Sequence, residues 1–292
     1  MALDPHHDRD SVTGTATTGH VWDGIRELNT PLPRWWLWIF YATIVWSIGY
    51  WVVYPSWPLV SSFTQGVFGW HSREALVRDL AELKAVRGPM MDKLAAASLP
   101  EIMSDPMLLD FARAQGRTSF GDNCAPCHGP GAAGNKGYPN LADDDWLWGG
   151  KIEDIATTVR YGIRSGDPKT RISLMPAFGR DNMLTRPQIE NVADYVRSLS
   201  GLSVNAKANL SDGKAIFQQQ CATCHGDDGK GKRDLGAPDL TDAIWLYGSD
   251  RAVIIEGVWG GRGGTMPAWV GRLDDTTIKA LSIYVHTLGG GQ

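Results

Sequence analysis

The pentapeptide C-x-x-C-H occurs twice, as CAPCH at residues 124–128 and CATCH at 221–225, and these two runs hold all 4 cysteines of the 292-residue chain. No cysteine is left for a disulfide framework elsewhere, so the thiols have a local task. In this motif the two thiols add across the vinyl groups of a haem, and the adjoining histidine reaches the iron from one side. A zinc ribbon would set its two C-x-x-C pairs roughly fifteen to twenty residues apart, far closer than here. Thioredoxin-like redox chemistry would not call for a histidine after the second cysteine in both copies. The motifs therefore predict two covalently bound haem c groups on Cys124, Cys127, Cys221 and Cys224, with His128 and His225 as axial ligands of the irons.

A six-coordinate iron needs a second axial ligand, and methionine sulfur is the usual one in electron-carrying c-type haems. Downstream of His128 stands LMPAFG with Met175, and downstream of His225 stands TMPAWV with Met266. Proline fixes its own φ and offers no donor, which suits an extended loop presenting a sulfur. Met183 has no counterpart in the second half and reads as a packing or surface residue. Order along the chain suggests Met175 with His128 and Met266 with His225, although adjacent domains can also exchange ligands.

The duplication extends beyond the ligands. Gly116 and Gly213 each lie eight residues before the first cysteine, and Phe120 and Phe217 four before it, which places glycine and aromatic on one helical face. WLWGG from Trp146 matches WLYGS from Trp245. Each half closes on a stretch of helical spacing, QIENVADYVRSL and TIKALSIYVHTL, with Tyr195 and Tyr284 in equivalent places.

Residues 35–54 run WWLWIFYATIVWSIGYWVVY, 20 residues without a charge. That is the length a helix needs to cross a bilayer core. Trp35, Trp36 and Trp38 stand at one end and Trp51, Tyr54 and Trp57 at the other, as amphipathic rings do at an interface. Pro55 and Pro58 end the span. The run is too long for a signal-peptide core and lacks a small-residue cleavage site. Arg26 and Arg34 precede it closely, whereas the next basic residue is Arg73, an asymmetry that favours an inside N-terminus. A surface helix is expected from about Ser72, with Leu76, Leu80 and Leu83 between charges, serving as a spacer or a docking face. His71, just before it, reads as a surface or interface histidine, His286 as structural, and His6, His7 and His20 as part of a disordered polar tail.

A net charge of -4 with no long run of Lys and Arg excludes a nucleic-acid partner. Arg160, Arg164 and Arg251 are candidates for neutralising haem propionates, against the ordinary solvated arginine. The acidic run of Asp143, Asp144 and Asp145 suits steering of a basic donor as well as a solvated loop.

Helix with glycine and aromatic, C-x-x-C-H, methionine loop and closing helix with an aromatic: each half resembles a class I cytochrome c domain. That resemblance implies that first and last helices cross, Gly116 and Phe120 meeting the helix of Tyr195, and Gly213 and Phe217 that of Tyr284. From Val21 onward, with VWDGIRELNTPLPRWWLWIFYATIVWSIGYWVVYP and two tandem cytochrome segments, the chain resembles the dihaem subunit III of cbb3-type cytochrome c oxidases. Some members of that family carry a second span; here one is seen. The expected architecture is mainly α, with one N-terminal transmembrane helix followed by two tandem class I cytochrome c domains. Its segments are a cytoplasmic tail at 1–34, an anchor at 35–57, a helical spacer at 58–106, a first cytochrome domain at 107–201 and a second at 208–292.

The resemblance implies a membrane-anchored electron carrier of aerobic respiration, not a catalyst of its own. Electrons would pass from a cytochrome c donor through these haems and a monohaem cytochrome subunit to the haem-copper catalytic subunit. It also implies a bacterial inner membrane, a cytoplasmic N-terminus and periplasmic haem domains. The rival readings are the cytochrome c subunit of a membrane-bound alcohol or sugar-acid dehydrogenase, which usually has three haem motifs, a free-standing anchored shuttle, and a dihaem peroxidase. A peroxidase needs an iron with an open position, which paired Met-Pro loops argue against.

Overall fold

The computed structural model describes residues 9–292, so His6 and His7 lie outside the described residues. Packing divides the chain between Ala85 and Val86 into two units. The first begins with a hairpin where a disordered tail was expected: β1 (Thr17–Trp22) pairs antiparallel with β2 (Ile25–Leu28), and His20 lies within β1. Its loop is Asp23-Gly24, with φ of 47° and 84°. Asp-Gly tolerates the two left-handed conformations that a tight hairpin requires, which overrides the polar composition.

Helix α1 (Arg34–Val53) is apolar all round and none of its residues is buried. Its 20 residues at about 1.5 Å each span about 30 Å, a bilayer core. It stops at Tyr54, which is extended because Pro55 follows. The chain then turns back on the helix end, with Val67 N–H donating to the Val52 carbonyl at 2.9 Å and Phe68 N–H to that of Val53 at 3.0 Å. His71 stands edge-on to Phe63 at 6.0 Å. Helix α2 (Ser72–Ala96) begins at the expected residue, and Leu76, Leu80 and Leu83 are exposed on it.

The regular elements of the second unit are helices, joined by long loops. Its elements are the end of α2, α3 (Leu99–Ser104), α4 (Pro106–Asn123), α5 (Ala125–His128), α6 (Ile152–Tyr161), α7 (Arg186–Leu199), α8 (Leu210–Gln220), α9 (Ala222–His225), α10 (Arg251–Gly260) and α11 (Asp275–His286). Caps set their starts. Ser98 with Glu101 and Thr185 with Gln188 form capping boxes on α3 and α7, while Asp105, Asn209 and Asp274 cap α4, α8 and α11.

The helix pairing differs from the expected one. α4 packs on α11, and α8 packs on α7, so each opening helix crosses the closing helix of the other repeat. A Cβ on Gly116 would overlap the Ala280 carbonyl oxygen and stand 2.6 Å from Tyr284 Cβ. A Cβ on Gly213 would overlap the Asn191 carbonyl and stand 2.9 Å from Tyr195 Cβ. The rings follow: Phe120 meets Tyr284 at 5.4 Å and 56°, and Phe217 meets Tyr195 at 5.5 Å and 57°. The near-identical geometry of the two crossings marks an internal pseudo-twofold relation. Residues 200–209 supply the physical reason, because helices joined by so short a link pack as antiparallel neighbours. That engages α7 with α8 and leaves α11 for α4.

The two crossings are supported differently at one place. Asp194 on α7 is fully buried and takes three bonds of 2.8–3.1 Å from the Arg251 guanidinium on α10, plus one of 3.0 Å from Asn205 N–H. The equivalent positions in the other half are Ile283 and Ile152, in an apolar cluster closed by Leu94 and Ile102. Burial pushes the Asp194 carboxyl up, but the bonds from Arg251 and Asn205 outweigh it and hold it below the ordinary range. Its stabilisation is present above that range and lost as pH falls through the depressed value. Asp194→Ala should cost about 2 kcal/mol near neutral pH, because Arg251 loses three charged hydrogen bonds and is left with Glu190 at 3.6 Å, and thermal unfolding in strong acid should show the difference shrinking.

Candidate haem sites

Each C-x-x-C-H turn follows its opening helix directly, so the helix carries the thiols. Cys124 and Cys221 are the C-terminal caps of α4 and α8, and the short helices α5 and α9 end on His128 and His225. His128 Nδ1 lies 3.0 Å from the Pro139 carbonyl and His225 Nδ1 3.1 Å from that of Pro238. A carbonyl only accepts, so Nδ1 carries the proton and Nε2 is left bare for a metal. Burial lowers both imidazole pKa values, which favours the neutral ring a metal requires. Burial also pushes the Cys124 and Cys221 thiols up to about 11.

Met266 packs in the cluster that holds Cys124, Phe120, Ile155 and Val159 of the first repeat with Leu281 and Val285 of α11. Met175 packs with Cys221, Phe217, Ile254 and Val258 of the second repeat and Val192 and Val196 of α7. The order expected from sequence is thus reversed in the packing. One antiparallel bridge holds each methionine loop across. Ile163 and Met266 exchange N–H···O bonds of 3.0 and 2.9 Å, and Met175 and Arg262 exchange bonds of 3.1 and 3.3 Å. Gly162 and Gly261, at φ of 70° and 73°, allow this approach: a Cβ on Gly162 would overlap the Met266 carbonyl oxygen, and one on Gly261 would lie 2.6 Å from that of Met175.

The donor sets fit a covalently held haem. Each apolar shell sets a thioether with the first cysteine of one motif, and the imidazole that ends the motif has its tautomer set by a carbonyl. Neither shell lies within a single repeat, since α7 and α11 and their methionine loops are exchanged.

Aromatics cross between the repeats as well. Trp148 of the first packs on Gly236 of the second and stacks with the Arg171 guanidinium at 5.1 Å. Its counterpart Tyr247 lies against Gly137 of the first and under Arg262 at 4.2 Å. Of the three arginines considered for propionates, Arg251 is engaged by Asp194 and Arg160 pairs with Asp275 at 2.9 Å. Arg164 donates to the Gly264 carbonyl at 2.7 Å and to that of Ser173. Met183 is half exposed, as its lack of a counterpart suggested. His286 Nε2 is 3.1 Å from the Gln292 carbonyl, while its Nδ1 is buried without a partner.

In the acidic run Asp144 is exposed, while Asp143 and Asp145 are half-buried. Burial, then the charges of Asp242, Asp143 and Asp239, push the Asp145 carboxyl up to about 6. A carboxyl raised in the folded state adds stability that is full below its unfolded value near 3.8 and lost as pH rises through about 6. Asp145→Asn should therefore stabilise the protein by about 1 kcal/mol at pH 7.5, after discounting for solvent screening, and by nothing at pH 3.5. Melting temperatures at the two pH values check this.

Pro139 and Pro238 escaped the sequence reading. The signal was present, since GYPNL and GAPDL stand at matching places after the two motifs. An oriented histidine needs a fixed acceptor, which these repeated prolines mark.

A family model described as the N-terminal domain of cytochrome oxidase-cbb3, FixP, matches residues 14–61. A second, described as cytochrome c oxidase, cbb3-type, subunit III, matches residues 112–196 and 208–285. A cbb3-type cytochrome c oxidase subunit FixP of Bradyrhizobium sp. strain ORS 278 is 60% identical over 98% of this chain and 99% of its own length. Its namesake in Bradyrhizobium diazoefficiens is 58% identical over 98% and 99%. The subunit CcoP of Azospirillum sp. strain B510 is 50% identical over 97% and 98%.

Proposed function

The chain belongs to the subunit III family of cbb3-type cytochrome c oxidases and is a membrane-anchored dihaem c-type cytochrome, and from that premise we propose how its residues carry electrons. Haem c, when bound, supplies reversible one-electron iron chemistry. Cys124 and Cys127 hold one group and Cys221 and Cys224 the other. His128 with Met266 would be the protein donors to one iron, and His225 with Met175 those to the other. The observation that carries this pairing is the location of each methionine in the other repeat's apolar shell, pinned by a two-bond bridge.

Two protein donors to each iron would leave neither open to oxygen, which supports electron transfer without transformation of a substrate. The thioethers raise the potentials relative to bis-histidine ligation and suit acceptance from a cytochrome c. Electrons then pass through a monohaem cytochrome subunit to the haem-copper subunit. The N-terminus is cytoplasmic and the haem-bearing unit periplasmic in a bacterial inner membrane, a topology supported by Arg26 and Arg34 ahead of the span.

Family membership decides for the oxidase over the dehydrogenase reading. Extraction from native membranes in mild detergent tests the partners. Co-purification of b-type haem and copper with oxygen consumption from reduced cytochrome c is expected; recovery without them would sink the assembly proposed.

A further inference from the structure

The net charge of -4 conceals a local surplus of cations beside Met175. Residues 158–176 and 261–267 form one continuous surface, joined by the bridge of Met175 to Arg262 and by Arg164, which donates to the Gly264 carbonyl at 2.7 Å. This surface carries Arg160, Arg164, Lys169, Arg171 and Arg262 against a single acid, Asp167. Asp275 and Asp154 answer Arg160 and Arg171, at 2.9 and 3.6 Å. No ion pair among the described residues involves Arg164, Lys169 or Arg262.

In the same segment, between Arg171 and Met175, stand two large aliphatic side chains that face water, Ile172 at 77% and Leu174 at 60% exposure. They alternate with Ser173, whose carbonyl is taken by Arg164, so the extended segment is held with both turned outward. Leu174 lies over Gly263, and the next residue is Met175. The second repeat has Gly264 and Thr265 ahead of Met266, so its methionine loop bears no such apolar pair.

We propose that Ile172 and Leu174, with Arg164, Lys169 and Arg262 on the same surface, are the docking face for a soluble redox protein that presents carboxylates around an apolar spot. Charge complementarity selects the partner. A small apolar centre with an uncompensated charged rim suits a brief, electrostatically steered encounter and not a permanent subunit interface, which would be larger and more apolar. The electron enters beside Met175, so the inference rests on Met175 being an iron ligand. One electron leaves the donor, which is oxidised, and reduces the chain, with no bond made or broken and no proton moved.

The test uses the full chain in detergent and two purified donors, a cytochrome c with an acidic docking face and one with a basic face. Absorption spectra of the variants, recorded first, test the methionine ligation separately. In stopped-flow reduction at low salt, Lys169→Glu should slow the acidic donor roughly fivefold, spare or speed the basic one, and lose its effect at high salt. Ile172→Ser should slow the acidic donor about threefold with an unchanged salt slope. Equal slowing of both donors, or of neither, with intact spectra overturns the proposal. So does loss of the other oxidase subunits from either variant on purification, which would make the patch a permanent interface.

Discussion

A chain ended after residue 207 should fail to hold its first haem site, although the first motif, its opening helix and a methionine loop would all be present. The cut removes Met266 and α11, and with them Ile278, Leu281 and Val285 from the shell around Phe120 and Cys124. Each fully buried aliphatic contributes about 1.5–3 kcal/mol, so the loss of three of them with their neighbours is of the order of a whole domain's stability. It also strands Met175 and α7 without the second motif they pack against. Haem attached to Cys124 and Cys127 in the truncated chain should be high-spin and its polypeptide quickly proteolysed. Two independent tandem domains would instead give a folded, low-spin first half, which absorption spectra and limited proteolysis distinguish.

Gly116→Val is expected to do comparable damage from a single atom cluster. The new side chain would meet the Ala280 carbonyl and Tyr284, and the backbones of α4 and α11 cannot separate without opening the Phe120 shell. Overpacking at such a crossing costs about 3 kcal/mol. The low-spin signal of the site containing His128 should weaken while that of His225 survives, because α7 and α8 cross elsewhere. Gly213→Val should produce the mirror result through Asn191 and Tyr195. Thermal unfolding with spectroscopy of each site checks both; an undisturbed His128 site in Gly116→Val would contradict the close crossing of α4 and α11.

The contrast between what was legible and what was not lies in these crossings. Spacing alone located the anchor helix, the thiols, the histidines, both methionines and the glycine-aromatic faces, because each is a local pattern with its own chemistry. The partner of each face was not legible from residue type, since Tyr195 and Tyr284 are interchangeable at a Gly-Phe crossing. The ten-residue link of 200–209 was a partial signal, since short connections favour sequential helices as neighbours. The β1–β2 hairpin was hidden by a polar composition that outvoted its Asp23-Gly24 turn. For Arg251 the sequence left a propionate partner and a solvated arginine both open. Its partner, Asp194, comes from another helix, and only the fold shows that this charge is already answered.

The exchange is tested most directly by a crystal structure of the intact haem-loaded protein with the irons located by anomalous scattering. The iron bound by His128 should carry the sulfur of Met266, and the iron bound by His225 that of Met175. Met175 on the same iron as His128 would contradict the interlocked arrangement and restore two separate domains.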